Sequence, residues 1–360
     1  MKIACYFNGK TSFGGAERRI GRIMNGVAAK GITVEFVFTL FEPLENIEEA
    51  YKKVIGDNCI IHFVGFNTGR EVFNYVKKTR FDIVFYVGAY RRMLPFFFGA
   101  KTCNSRTALL QVSTGPSIGV FNSLFERLEF DLVARNSDYI DCLYPSTTSF
   151  FIKKYKKQKV STTPCPATDM STFYPKEKEK IITFISRWVK GKNVELFVDS
   201  ILLIEEVLYL NGYRVYLCGS SQNGEVERTV KSKLEKAKHP EIFIIPGYIN
   251  PEEVLPISEV FMSLQNINNY PSQSLLESIA CGCYIVASDE GDTRLLVRPE
   301  FGTCCQLKAM EIGEKILEYI IKDDNEKLII IRNARTFAEK TFNLDDSIDH
   351  YMRIIKDTLF

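Results

Sequence analysis

The sequence predicts an α/β protein built from two doubly wound, parallel-sheet domains, and three observations support this. The 360 residues are 46% hydrophobic, which is enough for two cores at ~100–200 residues per domain. Short apolar runs alternate with helix-length amphipathic segments, a pattern typical of parallel strands joined by right-handed helical crossovers. The pattern occurs twice, and prolines and small polar residues interrupt it near residues 162–174.

The predicted elements follow from this alternation. The first set of strands is at residues 2–6, 33–38, 60–64, 83–87 and 108–112. The second set is at residues 181–185, 215–218, 242–245, 260–264 and 284–287. Helices are predicted at 194–210 and 224–237, and residues 323–360 are helical by pattern. We therefore expect domains at 1–168 and 169–340, with a helix at 341–360 that packs back on the first domain.

Charge is balanced overall but not along the chain. The formal net charge of +2 argues against a dedicated nucleic-acid-binding protein. Residues 1–170 hold 23 basic and 15 acidic side chains, whereas residues 171–360 hold 23 and 29. Eighteen of the 27 phenylalanines also lie in the first half. A basic, Phe-rich half predicts an anionic or lipid-like partner.

Cysteine and histidine usage predicts no metal site. The ten cysteines are scattered without a Cys-x-x-Cys pair, and there are three histidines. Scattered thiols are typical of core residues in a reducing cytoplasm. The amino terminus has no apolar signal region, and no stretch approaches the ~18–20 apolar residues of a membrane span. We expect a soluble or at most peripheral protein.

The first candidate motif is a glycine pair, Gly14 and Gly15, between the first predicted strand and the next helix. Glycines allow close approach of a ligand to the backbone, and free amides at a helix start favour anions. A simple tight turn into a helix explains the pair equally well.

The second motif follows the first strand of the second half. Arg187 and Lys192 flank the turn from this strand into the next helix. Two cations at such a point could stabilise a diphosphate. The Arg guanidinium group would donate two parallel hydrogen bonds, and the Lys ammonium group would act as a compact point charge. The alternative is a solvated basic loop.

The third motif spans residues 268–282. A polar loop follows strand 260–264, and a helix is predicted to begin at residues 272–274. Its first amides could hold phosphate oxygens, while Glu277 could accept both hydroxyls of a ribose. Alternatively, Ser274 and Glu277 fit the S-x-x-E capping box, in which Glu277 caps its own helix. Both interpretations stay open on this segment alone.

Together and in this order, the three motifs resemble the retaining, family-4 glycosyltransferases of the GT-B fold, or glycosyl transferases group 1. That family opens with a Gly-Gly-x-Glu loop and carries an R-x4-K pair, matched by Arg187 and Lys192. Its E-x7-E segment leading into LLEAMACG is matched by residues 269–282. The resemblance covers nearly the whole chain and is strongest in residues 180–300.

The resemblance implies two Rossmann-like domains facing a central cleft, with 1–168 on the acceptor side and 169–340 binding a nucleotide-sugar. It implies sugar transfer from a donor such as a UDP-sugar or GDP-sugar to a glycan, glycolipid or other acceptor. The anomeric configuration would be retained, and no metal or other cofactor would be required.

The resemblance also implies roles for individual residues. Arg187 and Lys192 would neutralise the diphosphate leaving group, and Glu277 would hold the ribose. The residues implied in donor binding are Gly14, Gly15, Gly247, Tyr248, Asn269, Ser272, Ser274 and Leu275.

Two departures from the family pattern leave alternatives open. Asn269 replaces the first Glu of E-x7-E, and the stretch after the fifth strand has no His. Ser113 or Thr114 would face the sugar there, but neither can replace an imidazole in proton transfer. A catalytically impaired relative that binds nucleotide or a partner glycosyltransferase is one alternative. A GT-B-fold nucleotide-sugar epimerase is the other.

Two basic segments suggest the acceptor side. Arg91 and Arg92 precede a run of three phenylalanines, 96–98, and five lysines cluster in residues 153–159. Such a face could dock on anionic lipid headgroups at the inner side of a membrane or bind a phosphorylated acceptor. The alternative is that the phenylalanines belong to the core and the lysines to a solvated helix face.

Overall fold

The structure is a computed structural model and describes residues 1–8, 15–40, 52, 55–65, 68–88, 93–112, 114–121, 123–164, 168–221, 224–268 and 270–359. Contacts divide the chain into two compact units. Unit 1 comprises Met1–Pro166 together with Leu344–Phe360, and unit 2 comprises Ala167–Asn343.

Unit 1 is built on a seven-stranded, parallel sheet with the order β3-β2-β1-β4-β5-β6-β7. Its strands are β1 (Lys2–Asn8), β2 (Thr33–Leu40), β3 (Ile60–Gly65), β4 (Ile83–Val87), β5 (Arg106–Gln111), β6 (Tyr139–Cys142) and β7 (Lys159–Thr162). Its helices are α1 (Gly15–Ala29), α2 (Gly69–Thr79), α3 (Leu94–Thr102), α4 (Leu124–Asn136), α5 (Pro145–Lys154) and α12 (Leu344–Leu359).

The sheet of unit 1 is covered on both faces, as parallel sheets require. Side chains alternate along β1, so Ile3, Cys5 and Phe7 enter one core, while Ala4 and Tyr6 enter the other. The run at 83–87 is buried at every position, because both of its faces meet helices. Phe96 and Phe97 of α3 also lie in the core, whereas Phe98 is 47% exposed, so the core interpretation of that aromatic run holds for two of its three residues.

Helix α12 packs on unit 1 although its residues follow unit 2 in the chain. Ile348, Tyr351 and Ile354 are buried in the same core as β1 and α1. Inside this contact, His350 Nε2 lies 2.9 Å from Asp141 Oδ1, and Asp141 is 1% exposed. Because a buried carboxylate needs several donors, this network fixes α12 against β6.

Unit 2 is built on a six-stranded, parallel sheet with the order β10-β9-β8-β11-β12-β13. Its strands are β8 (Glu179–Ile185), β9 (Arg214–Cys218), β10 (Phe243–Gly247), β11 (Ser258–Ser263), β12 (Tyr284–Ser288) and β13 (Gly302–Cys305). Its helices are α6 (Val194–Leu210), α7 (Glu225–Leu234), α8 (Pro251–Val254), α9 (Gln273–Ala280), α10 (Ala309–Ile320) and α11 (Asp324–Thr341).

The predicted α/β class with two doubly wound parallel sheets is confirmed. Strand β4 and helix α6 have the predicted bounds, and the other predicted strands are found within two residues at each end. The prediction missed β6, β7 and β13, which are four residues each. Residues 323–360 form two helices, α11 and α12, that belong to different units.

Candidate functional site

The candidate site lies at the carboxyl edge of the unit 2 sheet. The strand order reverses between β8 and β11, so the loops that follow these two strands, 186–193 and 264–272, leave the sheet at its topological switch point. Open parallel sheets bind ligands at such a point, because the loops diverge there and leave a crevice. Two of the three sequence motifs are in these loops.

The loop after β8 carries two cations of different character. Arg187 is exposed, whereas Lys192 is partly buried at the end of a short 3₁₀ helix, Lys190–Lys192. Lys192 Nζ donates a 2.6 Å hydrogen bond to Oε1 of Gln265, in the loop after β11. Burial, together with the positive charge of Arg187, lowers the pKa of Lys192 to about 8. The two cations are therefore close enough to repel each other.

This arrangement favours an anionic ligand. The partner of Lys192 is a neutral amide that aims the ammonium group without neutralising it. A diphosphate beside Arg187 and Lys192 would supply the missing negative charge and raise the pKa of Lys192 again. Charge-assisted hydrogen bonds of this kind are roughly twice as strong as neutral ones.

Gly219 allows three adjacent strand ends to come together. Its φ is +127°, and a Cβ atom there would lie 1.8 Å from the carbonyl oxygen of Ser186 and 3.0 Å from Nε1 of Trp188. The backbone N–H of Gly219 donates to the carbonyl of Gly247, at the end of β10. The loops after β8, β9 and β10 are thus tied to one another by main-chain hydrogen bonds.

Asn268 performs a similar function on the other side of the switch point. Its Oδ1 accepts hydrogen bonds from the backbone N–H groups of Tyr270 and Asp292, and its Nδ2 donates to Asp292 Oδ2. Gly291, at φ +58°, makes room for this side chain, because a Cβ there would lie 2.3 Å from Asn268 Cγ. The loop after β11 is therefore held against the loop after β12.

Helix α9 begins directly after this polar loop. Its N-cap is Ser272, whose side chain makes no capping hydrogen bond, so Ser274 and Leu275 lie in an uncapped first turn. Such a turn presents amides and the positive end of the helix dipole to an anion.

Glu277 lies one turn further into α9 and is fully buried. The capping-box interpretation of Ser274 and Glu277 is wrong, because the N-cap is Ser272 and Ser274 is already the second residue of the helix. A carboxylate buried beside Leu275, Leu276 and Ile279 is costly unless its surroundings compensate its charge. Its presence at this position favours a functional role over a capping one.

The structure brings some predicted site residues together and leaves others undescribed. Arg187 and Lys192 share one loop, and Ser272, Ser274 and Leu275 share the first turn of α9. Gly247 has a φ of +76° and precedes Tyr248, whose side chain is 84% exposed at the end of β10. Outside the described residues lie Gly14, Arg91, Arg92, Ser113 and Asn269.

Two further predicted residues are described in unit 1. Gly15 is the first residue of α1, the helix that follows β1 in the chain. Thr114 precedes a 3₁₀ helix, Gly115–Ser117, and its carbonyl accepts hydrogen bonds from both the N–H and the Oγ of Ser117. Thr114 lies in the segment that follows β5, the second strand from the switch point of the unit 1 sheet.

The structure identifies positioning residues that the sequence interpretation missed. Gln265 aims Lys192, Asn268 joins two loops, and Gly219 permits the close approach of three strand ends. A polar residue directly after a buried strand was a signal for Gln265. The role of Gly219 depends on a neighbouring loop, and no local pattern around it contains that information.

The described residues contain neither a membrane-spanning helix nor a cluster of metal ligands. None of their helices is both long and apolar enough to span a membrane. Among these residues, no three His, Cys, Asp or Glu side chains form a group that could hold a metal ion.

Residues 168–337 match the family model for glycosyl transferases group 1. This range covers nearly all of unit 2 and contains the second and third motifs, so unit 2 is similar to that family where the motifs predicted the resemblance. No curated protein matches the sequence significantly.

Solved structures similar to the whole chain show the GT-B fold. Anabaena Alr3699/HepE, solved with UDP and glucose, has a TM-score of 0.80 at 13% identity, covering 99% of both chains. A Rickettsia africae glycosyltransferase has a TM-score of 0.75 at 15% identity, covering 99% of this chain and 98% of that one. Sucrose-phosphate synthase of Thermosynechococcus elongatus has a TM-score of 0.74 at 15% identity with the same coverage.

Proposed function

We propose that this protein is a glycosyltransferase whose unit 2 binds a nucleoside-diphosphate sugar at the switch point between β8 and β11. The observation that carries the proposal is the pair Arg187 and Lys192, with Lys192 aimed by Gln265 and depleted of counter-charge. A pair of this kind suits a leaving group that gains negative charge as the sugar–phosphate bond breaks. The group 1 match of residues 168–337 supports the same reaction class.

The donor would be held from several sides in this proposal. Arg187, Lys192 and the amides of Ser274 and Leu275 contact the diphosphate, and Glu277 accepts the ribose hydroxyls. Tyr248, after Gly247, lies against the base. Three further residues complete the donor contacts: Gly14, Gly15 and Asn269. Ser272 begins the helix that carries the amides.

We extend the proposal to the finer points that the family resemblance implies. The reaction retains the anomeric configuration and needs no metal, because Arg187 and Lys192 take over the charge stabilisation. The acceptor is a glycan or glycolipid bound by unit 1, with Ser113, Thr114, Arg91 and Arg92 on its side. The site of action is the cytoplasmic face of a membrane.

The first experiment measures nucleotide binding. UDP, GDP and ADP are titrated in the presence of a chelator, and calorimetry gives the dissociation constants. Arg187→Ala and Lys192→Ala should each weaken the preferred nucleotide at least about tenfold, since each removes a charge-assisted hydrogen bond. Lys190→Ala is the matched control, because this lysine lies in the same 3₁₀ helix but is exposed. Equal affinity in all four proteins would contradict the proposal.

The second experiment separates an enzyme from an impaired relative. Hydrolysis of the sugar donor that carries the preferred base is followed by proton NMR, which also reports the anomer released first. An α-donor should give the α-sugar if configuration is retained. Tight nucleotide binding without hydrolysis or transfer would favour the binding-only alternative, and interconversion of two nucleotide-sugars would favour an epimerase.

A further inference from the structure

Helix α4 of unit 1 carries apolar side chains on its outer face as well as its inner one. The inner face buries Phe130, Val133 and Ala134, together with two glutamates, Glu126 and Glu129. On the outer face, Leu124 is 72%, Phe125 67% and Leu128 59% exposed. Surface helices normally carry one apolar stripe, toward the core, and polar residues on the other side. Exposed apolar side chains that lie together mark an interaction surface.

The buried glutamates have a structural reason to face inward. Glu129 Oε1 accepts hydrogen bonds from the backbone N–H groups of Met93 and Leu94, at the start of α3. A carboxylate at that end satisfies unpaired amides and complements the helix dipole. The exposed leucines have no comparable structural reason for their outward orientation, because most of their surface is in contact with solvent.

The exposed apolar residues lie along the outer side of α4 and in the segment that precedes it. Leu124, Leu128 and Leu132 are spaced by four residues and therefore lie on one side of the helix. Ile118 and Val120, in the loop that leads to α4, are 70% and 64% exposed. We call the set the α4 face; its members are Ile118, Val120, Leu124, Phe125, Leu128 and Leu132.

Cations border the carboxyl-terminal half of the α4 face. Lys154 Nζ lies 2.7 Å from Asp131 Oδ1, and Gln158 Nε2 donates to the carbonyl of Arg135. These contacts hold the end of α5 and the residues after it against α4. The same segment, residues 153–159, exposes four further lysines: Lys153, Lys156, Lys157 and Lys159.

A cavity of about 410 Å³ lies at the same end of α4. Its cationic lining consists of Arg106, Arg135, Lys157 and Lys159, and its acidic lining of Asp138 and Asp357. Asp138 is already paired with Lys101 and Arg106. The cavity is therefore net positive, and through Arg135 it adjoins the α4 face.

We propose that the α4 face and this cavity dock unit 1 on a bilayer that contains anionic phospholipid. The apolar side chains enter the boundary between headgroups and acyl chains, and the cavity cations contact lipid phosphate. An apolar face next to clustered Lys and Arg is the arrangement that interfacial helices use. This inference rests on the membrane location in the proposed function and assigns a surface to it. None of the residues of the nucleotide site belongs to that surface.

A second exposed apolar face, on α6 of unit 2, serves as an internal control. Leu203 and Leu210 are 62% and 72% exposed. The charged groups around them include Glu206, which pairs with His239. An anionic bilayer should not attract this face, although its leucines are as exposed as those of α4.

The test is co-sedimentation of the full chain with vesicles. One set is pure phosphatidylcholine, and in the other about one third of the lipid is phosphatidylglycerol. Wild type should bind the anionic set preferentially. The double variant Phe125→Ser, Leu128→Ser should lose about tenfold or more of that binding, and Lys157→Gln, which removes a cation of the cavity, should lose about fivefold. Leu203→Ser, the matched control, should bind like wild type.

Three results would overturn the inference. One is absence of wild-type binding to anionic vesicles, and another is an equal loss for Leu128→Ser and Leu203→Ser. The third is a wild-type dimer in light scattering that Leu128→Ser converts to a monomer without any vesicle dependence, since a second copy would then cover the α4 face. Nucleotide affinity in solution is measured alongside for every variant. If no nucleotide binds while vesicle binding persists, the proposed function is contradicted and the docking surface is still supported.

Discussion

Units 1 and 2 share a sheet topology but use it differently. The orders β3-β2-β1-β4-β5 and β10-β9-β8-β11-β12 reverse at the same place, next to the first strand of each unit. In unit 2, polar side chains join the loops at the carboxyl edge, as Lys192 and Asn268 show. In unit 1, by contrast, Asp141 accepts its hydrogen bonds in the interior, and the unusual surface is the outer face of α4. A common scaffold thus determines where a crevice can form, while side chains determine which edge or face is used.

The largest expected effect is in the unit 2 loops. Gly219→Ala should destabilise unit 2 by several kcal/mol and abolish nucleotide binding, because the new Cβ would overlap the carbonyl of Ser186 at a φ that L-residues avoid. Thermal unfolding and nucleotide titration measure the two effects.

Gly212→Ala is the control for that variant. Gly212 also has a positive φ, +73°, but a Cβ there meets no atom within 4 Å. Only backbone strain of about 1 kcal/mol remains. Comparable losses in both variants would show that the close approach at Gly219 is unimportant.

The next effect is in the interior of unit 1. Asp141 accepts hydrogen bonds from Ser161, Thr163 and His350. Asp141→Ala should lower the free energy of unfolding by roughly 3 kcal/mol, since two buried donors, Thr163 and His350, and the half-buried Ser161 lose their acceptor. Nucleotide affinity should not change, because the lesion is confined to unit 1.

The control for this variant is on the same helix, α12. Asp349 is 67% exposed and 3.5 Å from Lys30 Nζ, so Asp349→Ala should change stability by less than about 1 kcal/mol. A weakened nucleotide affinity in Asp141→Ala would contradict the independence of the two regions.

The smallest effect concerns Lys192 without ligand. Its folded-state pKa of about 8 is below the ordinary value of about 10.4, so the charged form is disfavoured by folding. Lys192→Met should therefore stabilise the free protein at pH 7 by about 1 kcal/mol, after allowing for the lost bond to Gln265.

The pH dependence gives the sign of this effect independently. Between about pH 8 and pH 10, the unfolded chain holds the Lys192 proton and the folded protein does not. The free energy of unfolding of the wild type should therefore increase relative to that of the variant as pH rises through this window. Parallel unfolding curves for the two proteins at pH 7 and pH 9.5 would show that Lys192 is not perturbed.

Much of the fold was predictable, because the spacing of apolar residues and the length of an apolar run are local properties of the sequence. The run at 83–87 and the helix at 194–210 have the bounds that their patterns predicted. The missed strand β7 has the sequence KVST and begins inside the lysine cluster, so its composition suggested a solvated helix. It is a strand because it pairs with β6 at an edge of the sheet, which is a non-local contact.

The site was predictable only in part, for a related reason. Residues at strand ends and helix starts, such as Arg187 and Ser274, are recognisable from order along the chain. Positioning contacts such as the one from Lys192 to Gln265 join residues that are 73 positions apart. The sequence alone does not show that two such residues meet. The exposed apolar face of α4 was also missed, because the burial of Glu129, which determines the inner face, depends on its hydrogen bonds to the start of α3.

The return of α12 to unit 1 has a consequence for synthesis. Residues 344–360 leave the ribosome after all of unit 2, so unit 2 can fold while unit 1 still lacks one wall of its core. During that interval the surface that later receives Ile348, Tyr351 and Ile354 is open to water and to other chains. Domains usually fold in the order in which they emerge. Here the unit that emerges first is the one completed last, and it is the unit that nascent-chain chaperones would have to protect.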